Sequence, residues 1–259
     1  MDLGIAGRQA IICASSRGLG RGCAFALAEA GCDVVVNGRD GASLQSTAGE
    51  IARRHKVRVT PVAGDVSLPE VQAALLAASP RPDILVNNNG GPSRRDFREL
   101  DRDKIIEGVV QNMVTPIELI TAVIDGMAER GFGRIVNITS MSVLAPIEGL
   151  DLSSGARAGL TAFLAGVCRE VADRNVTINN LLPGKMDTER QTGNWPAMAE
   201  RAGKSIEAVA AEALAAVPAR RLGSPEEFGQ LCAFLCSVHA GYITGQNILV
   251  DGGLLPRAF

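Results

Sequence analysis

The chain has 259 residues, 46% of them hydrophobic and 21% charged, with a formal net charge of −2. That is enough apolar material for one sizeable α/β core, and it offers no basic excess to attract nucleic acid or an anionic membrane. Mean hydropathy is +0.15, but no apolar run reaches the roughly 18 residues of a membrane span, and Met1-Asp2-Leu3-Gly4 lacks the basic start and apolar stretch of a secretory leader. The six cysteines (Cys13, Cys23, Cys32, Cys168, Cys232 and Cys236) form no C-x-x-C pair. They read as buried structural thiols of a reduced, cytoplasmic protein with no metal site.

Strand-like apolar runs alternate with helical patterns along the whole chain. Gln9 to Cys13 reads as a buried strand and Leu19 to Ala30 as a helix with an apolar stripe. Val34-Val35-Val36 is the next strand, followed by a helix through Leu44, Ile51 and Arg54. Val57 to Val62 is a strand, Val71 to Ala78 a helix and Ile84 to Val86 a strand. A long helix spans Ile105 to Glu129. Then come a strand at Ile135 to Ile138, a helix at Gly159 to Asp173 and a strand at Val176 to Leu182. A helix from Pro225 to Ser237 precedes a closing strand at Asn247 to Val250. Continuous apolar strands separated by helices specify a parallel sheet covered on both faces. The expected architecture is a single doubly wound Rossmann-type α/β domain over residues 1–259. The segment from about 187 to 217 holds the only tryptophan, Trp195. It is expected as a helical insertion over the carboxyl ends of the strands, where ligands bind in open α/β sheets.

Cys13-Ala14-Ser15-Ser16-Arg17-Gly18-Leu19-Gly20 joins the first strand to the first helix. Glycines there let backbone approach a pyrophosphate, and the helix N-terminus supplies free N–H groups and a favourable dipole. Further motifs follow in order: Asp65-Val66, Asn87-Asn88-Asn89-Gly90, Asn112, Ser140, Pro183-Gly184 with Thr188, Ile243-Thr244-Gly245-Gln246 and Val250-Asp251-Gly252-Gly253. Taken together the chain resembles the single-domain short-chain dehydrogenase/reductases, and among them the 3-oxoacyl carrier-protein reductases, from end to end. The resemblance implies the sheet order 3-2-1-4-5-6-7. It also implies dinucleotide contacts from Ser15, Ser16, Arg17, Gly18, Leu19, Gly20, Asp65, Val66, Asn88, Asn89, Gly90, Pro183, Gly184 and Thr188. A homotetramer built on the helices at Ile105 and Gly159 and on the last strand is implied as well.

The second strand ends Val36-Asn37-Gly38-Arg39, with glycine where an NAD-type site carries a carboxylate for the ribose 2′-hydroxyl. Arg39, with Arg17 in reach of the same group, suits a 2′-phosphate. NADP(H) is therefore expected over NAD(H).

The resembled family donates a proton from a tyrosine whose pKa a lysine lowers, four residues on. Here those positions hold Ser153 and Arg157, while the register continues into Ala158-Gly159-Leu160-Thr161. The only tyrosine is Tyr242 and the only histidines are His55 and His239. Three readings stand open. Ser140, Ser153 and a water chain to Asn112 relay protons while Arg157 stabilises the alkoxide and holds the ribose. An acid from the loops (Glu148, Asp151, Asp187 or Glu189) replaces the tyrosine. Or the chain binds the dinucleotide without redox chemistry, as a sensor or partner subunit. The expected function is an NADP(H)-dependent oxidoreductase of a small-molecule carbonyl or hydroxyl, with a lyase or isomerase on the same scaffold as a further alternative. Gly91-Pro92-Ser93-Arg94-Arg95 reads as a turn or as an anchor for an anionic substrate group. Trp195 reads as a lid or as packing for the insertion.

Overall fold

The computed structural model describes residues 1–257. Its strands are β1 (Gln9–Ile12), β2 (Asp33–Gly38), β3 (Val59–Ala63), β4 (Ile84–Asn87), β5 (Gly133–Ile138), β6 (Val176–Pro183) and β7 (Asn247–Val250). All pair in parallel, in the order β3-β2-β1-β4-β5-β6-β7 that the resemblance implies. The helices are α1 (Gly18–Glu29), α2 (Gly41–Arg54), α3 (Pro69–Ala78), α4 (Arg102–Val109), α5 (Thr115–Glu129) and α6 (Asp151–Glu170). The insertion contributes α7 (Glu189–Thr192), α8 (Trp195–Ala202) and α9 (Ile206–Ala215), and α10 (Pro225–Leu235) leads to the last strand. Among the described residues no helix is long and apolar enough to cross a membrane.

Strand side chains alternate between the faces. Ile12, Val34, Val36, Val86 and Val136 pack under α1, α2 and α10, while Ile11, Val35, Leu85, Ile135 and Ile178 pack under α3, α5 and α6. Both faces are buried, which is why the strands read as unbroken apolar runs. Helices α1 and α10 touch backbone to backbone. A Cβ on Gly22 would lie 2.0 Å from the Pro225 carbonyl oxygen, and one on Gly229 would lie 2.2 Å from that of Gly22. Only glycine permits that approach.

Two departures from the sequence-based elements shape the site. The long helix expected from Ile105 is interrupted by a π turn over Val110–Val114, in which the Thr115 N–H donates to the Val110 carbonyl. Pro116 has no N–H for the Asn112 carbonyl four residues back, and the ladder widens there. The helix expected from Gly159 starts eight residues earlier, at Asp151. Ser153 and Arg157 therefore sit one turn apart on a single helix face.

An asparagine ladder crosses the carboxyl half of the sheet on the α5–α6 face. Asn87 donates to Asn137 at 2.9 Å, Asn137 to Asn180 at 3.0 Å, and Asn180 to Asn247 at 2.8 Å. The ladder follows the strand register, in which these residues are direct partners. Each bond contributes about 1 kcal/mol, and the row fixes the spacing of the strand ends that carry the site.

Candidate functional site

The loop after β1 is held from behind. The buried Asn37 side chain accepts from the Ala14 N–H at 3.0 Å and donates to the carbonyls of Val62 and Gly64 at 3.0 and 3.1 Å. Ser15 is fully buried; its hydroxyl donates to Ile12 at 2.7 Å and accepts from the Asn37 N–H at 3.0 Å. Ser15 thus faces the scaffold, away from the cleft. Asn37 was missed by the sequence reading, although a polar residue ending an apolar strand beside a glycine loop is a legible signal. Gly18 takes φ +58°, with the Thr188 methyl 3.6 Å from where its Cβ would be. Gly20 is packed shut, its Cβ position 2.4 Å from the Ala14 carbonyl oxygen, which also accepts from Asn88 at 3.1 Å.

Helix α1 opens on this loop with no side-chain cap and no acid in its first turn. By contrast α2, α4, α9 and α10 are each capped by Asp or Ser. Uncapped first-turn N–H groups and the positive end of the helix dipole form a ready anion site.

The loop borders a cleft of about 450 Å³, within the size range of small-molecule sites. Ser16, Arg17, Gly18, Leu19, Gly38, Arg39, Asp65, Val66, Asn88, Asn89, Gly90 and Thr188 line it. Ser15, Gly20, Pro183, Gly184 and Arg157 do not line it. Gly184 is pressed against Asp251, with its Cβ position 2.5 Å from the Asp251 Cβ, and donates to the Val250 carbonyl. Gly38 is also sterically required, since a Cβ would lie 2.6 Å from the Ser16 hydroxyl. Arg39 is 75% exposed and 3.8 Å from Asp65. Arg17 reaches across the cleft to pair with Glu189 at 2.7 Å. Asp40, overlooked in the sequence, lines the cleft too, but its carboxylate caps α2 through the Ser43 N–H at 2.7 Å. The Ser43 hydroxyl and N–H hold that carboxyl below the usual range.

Beside Gly91, next to Gly90 of the cleft, Ser153 and Arg157 are buried together, and Arg157 Nε donates to the Ser153 Oγ at 3.2 Å. Arg157 Nη1 donates to the Ile138 carbonyl at 2.8 Å, at the end of the strand that leads to Ser140. Burial, then the charge of Arg190, draws the Arg157 pKa down to about 10. Ser140 Oγ accepts from the Ser142 N–H at 3.1 Å, so its own proton remains available to donate. Asn112 lies in the π turn. Its amide donates to Gly108 at 3.1 Å, and its buried Oδ1 has no partner. Asn89, where the family has alanine, donates to the Gln111 carbonyl at 3.2 Å and accepts from the Gly90 N–H. It ties the β4 loop to the π turn.

Of the four acids considered as replacements for tyrosine, Glu189 is taken by Arg17, and Glu148, Asp151 and Asp187 are exposed. Tyr242 is fully exposed and does not line the cleft. Trp195 starts α8, half-buried and away from the cleft wall, with its indole N–H unpartnered. The six cysteines are buried and free, and burial pushes the Cys13 and Cys32 thiols up to about 12. No cluster of His, Cys, Asp and Glu suited to a metal forms among the described residues.

Comparison with known proteins agrees with this architecture. A family model described as enoyl-(acyl carrier protein) reductase matches residues 13–255. The chain is 31% identical to the 3-oxoacyl-[acyl-carrier-protein] reductase FabG of Aquifex aeolicus, over 98% of this chain and all of that one. It is 29% identical to the NADPH-dependent reductase BacG of Bacillus subtilis, over 95% and 97% of the two chains. The L-sorbose reductase of Gluconobacter frateurii, solved with NADPH and L-sorbose, superposes with a TM-score of 0.94 at 29% identity over the full length of both. The chain belongs to the short-chain dehydrogenase/reductase family.

Proposed function

We propose that this protein is an NADP(H)-dependent oxidoreductase of a small-molecule carbonyl or hydroxyl, working with serine and arginine in place of the family's tyrosine and lysine. The observation that carries it is the uncapped N-terminus of α1 over a glycine loop, opening on a cleft whose Gly90 and Arg190 adjoin the Gly91 neighbours Ser153 and Arg157. The residues present fit a dinucleotide. Backbone N–H groups of the first turn take the pyrophosphate, and Asp65 and Val66 face the adenosine end. Gly38 keeps a carboxylate away from the 2′ position, and the exposed Arg39 meets a 2′-phosphate there. The solved and curated relatives named for NADPH support the same choice.

A bound nicotinamide supplies or accepts the hydride. Ser140 donates its O–H to the carbonyl oxygen and orients it. Arg157, protonated at neutral pH, stabilises negative charge developing on that oxygen. A serine hydroxyl is too weak an acid to be the net proton source, so the proton comes from bulk solvent along a chain of waters, with Ser153 taking one proton as it passes its own on and Asn112 Oδ1 holding a water of the chain. Arg157 also takes over the lysine's place at the ribose. Assembly into a homotetramer places the exposed Ile105, Ile106 and Phe163 of α4 and α6 in interfaces, and light scattering tests it.

Calorimetry with NADPH and NADH, followed by NADPH consumption across a panel of carbonyl compounds, tests the whole reading. Absence of uptake of either dinucleotide by folded protein sinks it. Tight NADPH binding with no turnover on any carbonyl favours the sensor, a reading supported by the mutual satisfaction of Ser153 and Arg157.

A further inference from the structure

Gly91, just beyond the β4 loop, marks a convergence of donors. The place its Cβ would occupy lies 3.1 Å from Arg190 Nη2, 3.2 Å from Arg157 Nη2 and 3.3 Å from Ser153 Oγ. The two cationic nitrogens are thus no farther apart than twice that distance. Neither guanidinium meets a carboxylate among the described residues. Arg157 is bound to Ser153 and the Ile138 carbonyl, and Arg190 to the Pro92 carbonyl at 3.3 Å. Desolvation lowers the pKa of both, and the charge of Arg190 lowers that of Arg157 further.

Arg17 and Arg39, which line the cleft, differ. Arg17 has Glu189, and Arg39 has Asp65. Positive charge is therefore matched at the end where the dinucleotide's adenosine belongs and unmatched beside Ser153. A buried cation without an anion is costly; Arg157 is one, and the exposed Arg190, on the wall of the cleft, is turned toward the same point.

We propose that Arg157, Arg190 and Ser153 form a carboxylate-binding subsite over Gly91, which makes the substrate an oxo acid or the corresponding hydroxy acid. This deepens, and rests on, the reading of the cleft as a dinucleotide-dependent oxidoreductase site. Arg157 Nη2, not engaged by Ser153 or the Ile138 carbonyl, and the guanidinium of Arg190 each offer a charged donor to a carboxylate oxygen, and the serine hydroxyl supplies a third donor. Glycine at position 91 leaves the room that a side chain would take.

The test is titration calorimetry on the full chain saturated with NADP⁺, using oxalate and its neutral isostere oxamide. Oxalate binds, and oxamide binds weaker by roughly tenfold or more, the difference a charged hydrogen bond makes. Arg190→Gln lowers oxalate affinity by about the same factor. Gly91→Ala, which keeps both charges and fills the space, does likewise, and NADP⁺ affinity stays within about twofold in both variants. Equal binding of oxalate and oxamide overturns the subsite, as does oxalate affinity indifferent to both variants. Oxalate binding only to dinucleotide-free protein, displaced by NADP⁺, also overturns it, because the arginines then serve the cofactor's phosphates. Failure of NADP⁺ to bind defeats the underlying reading instead, and oxalate titrated into the free protein then decides the arginine pair by itself.

Discussion

The two ends of the cleft are built by opposite means. At the β1–α1 end, recognition comes from backbone: an uncapped helix terminus, glycines closed in by neighbouring carbonyls and hydroxyls, and a buried asparagine bracing the loop. At the β4–α6 end it comes from side chains on separate elements: Ser140 after β5, Ser153 and Arg157 on α6, and Arg190 on α7. Backbone geometry tolerates little substitution and keeps one ligand class. Side-chain chemistry can change with two substitutions while the frame around them keeps its shape. A family likeness therefore speaks more strongly for what the first end binds than for what the second does.

The sharpest way to break this contrast is Asn37→Ala. It leaves the Ala14 N–H and the carbonyls of Val62 and Gly64 without their partner, and buried groups so orphaned cost about 1–3 kcal/mol each. Urea denaturation is expected to show a loss of about 3 kcal/mol, with NADPH affinity falling in parallel. Unchanged stability would mean that the loop holds itself. At the other end, Ser140→Ala is expected to lower kcat for carbonyl reduction by about a hundredfold, the scale of losing one donor to a developing oxyanion. NADPH affinity, measured by fluorescence titration, should not move. Loss of both together would erase the division of labour.

Legibility in the sequence divided along the same line. The strands followed from apolar runs and the order of the sheet from the family resemblance, and β7 begins and ends where the pattern placed it, at Asn247 and Val250. The glycine loop was readable because backbone needs announce themselves as Gly18, Gly20 and Gly38. The first turns of α6 were not. Leu152-Ser153-Ser154-Gly155 has weak helix propensity, and packing supplies what the segment lacks: Leu152 lies so close to α4 that a Cβ on Gly108 would fall 2.6 Å from it. The π turn was hidden because Pro116 reads as an ordinary early-helix proline until its missing N–H is traced back to the Asn112 carbonyl. Arg190 escaped notice because nothing local in sequence ties an insertion residue to Gly91, about a hundred positions earlier. Asp40 was passed over because its adjacency to Arg39 hid its role as the cap of α2.

Arg39→Ala sharpens the contrast more gently, by subtracting one side chain from the backbone-built end. Arg39 is 75% exposed, so the expected loss is that of a single screened phosphate contact, roughly tenfold in NADPH affinity. NADH, without the 2′-phosphate, should be affected by no more than about twofold. Equal weakening of both dinucleotides would remove Arg39 from the 2′ position. The selectivity itself should shrink as salt rises, since an exposed pair is screened.

The smallest effect is the most diagnostic of the side-chain end. Arg157 carries a charge that the folded protein disfavours, its pKa drawn down to about 10 by burial and by Arg190. From about pH 10 upward, until the unfolded arginine itself titrates, the unfolded chain binds more protons than the native one, so stability rises with pH above about 10. Below that window both states are protonated and the folded state carries the whole penalty. Arg157→Met replaces the cation with an apolar chain of similar length. The expected result is stability equal to the wild type or higher by about 1 kcal/mol at neutral pH, and loss of the rise at alkaline pH, both read from urea denaturation at a series of pH values. An arginine kept where methionine would fold at least as well is placed for a ligand. A variant markedly less stable than wild type at neutral pH would instead make Arg157 a structural strut, holding β5 to α6 through the Ile138 carbonyl.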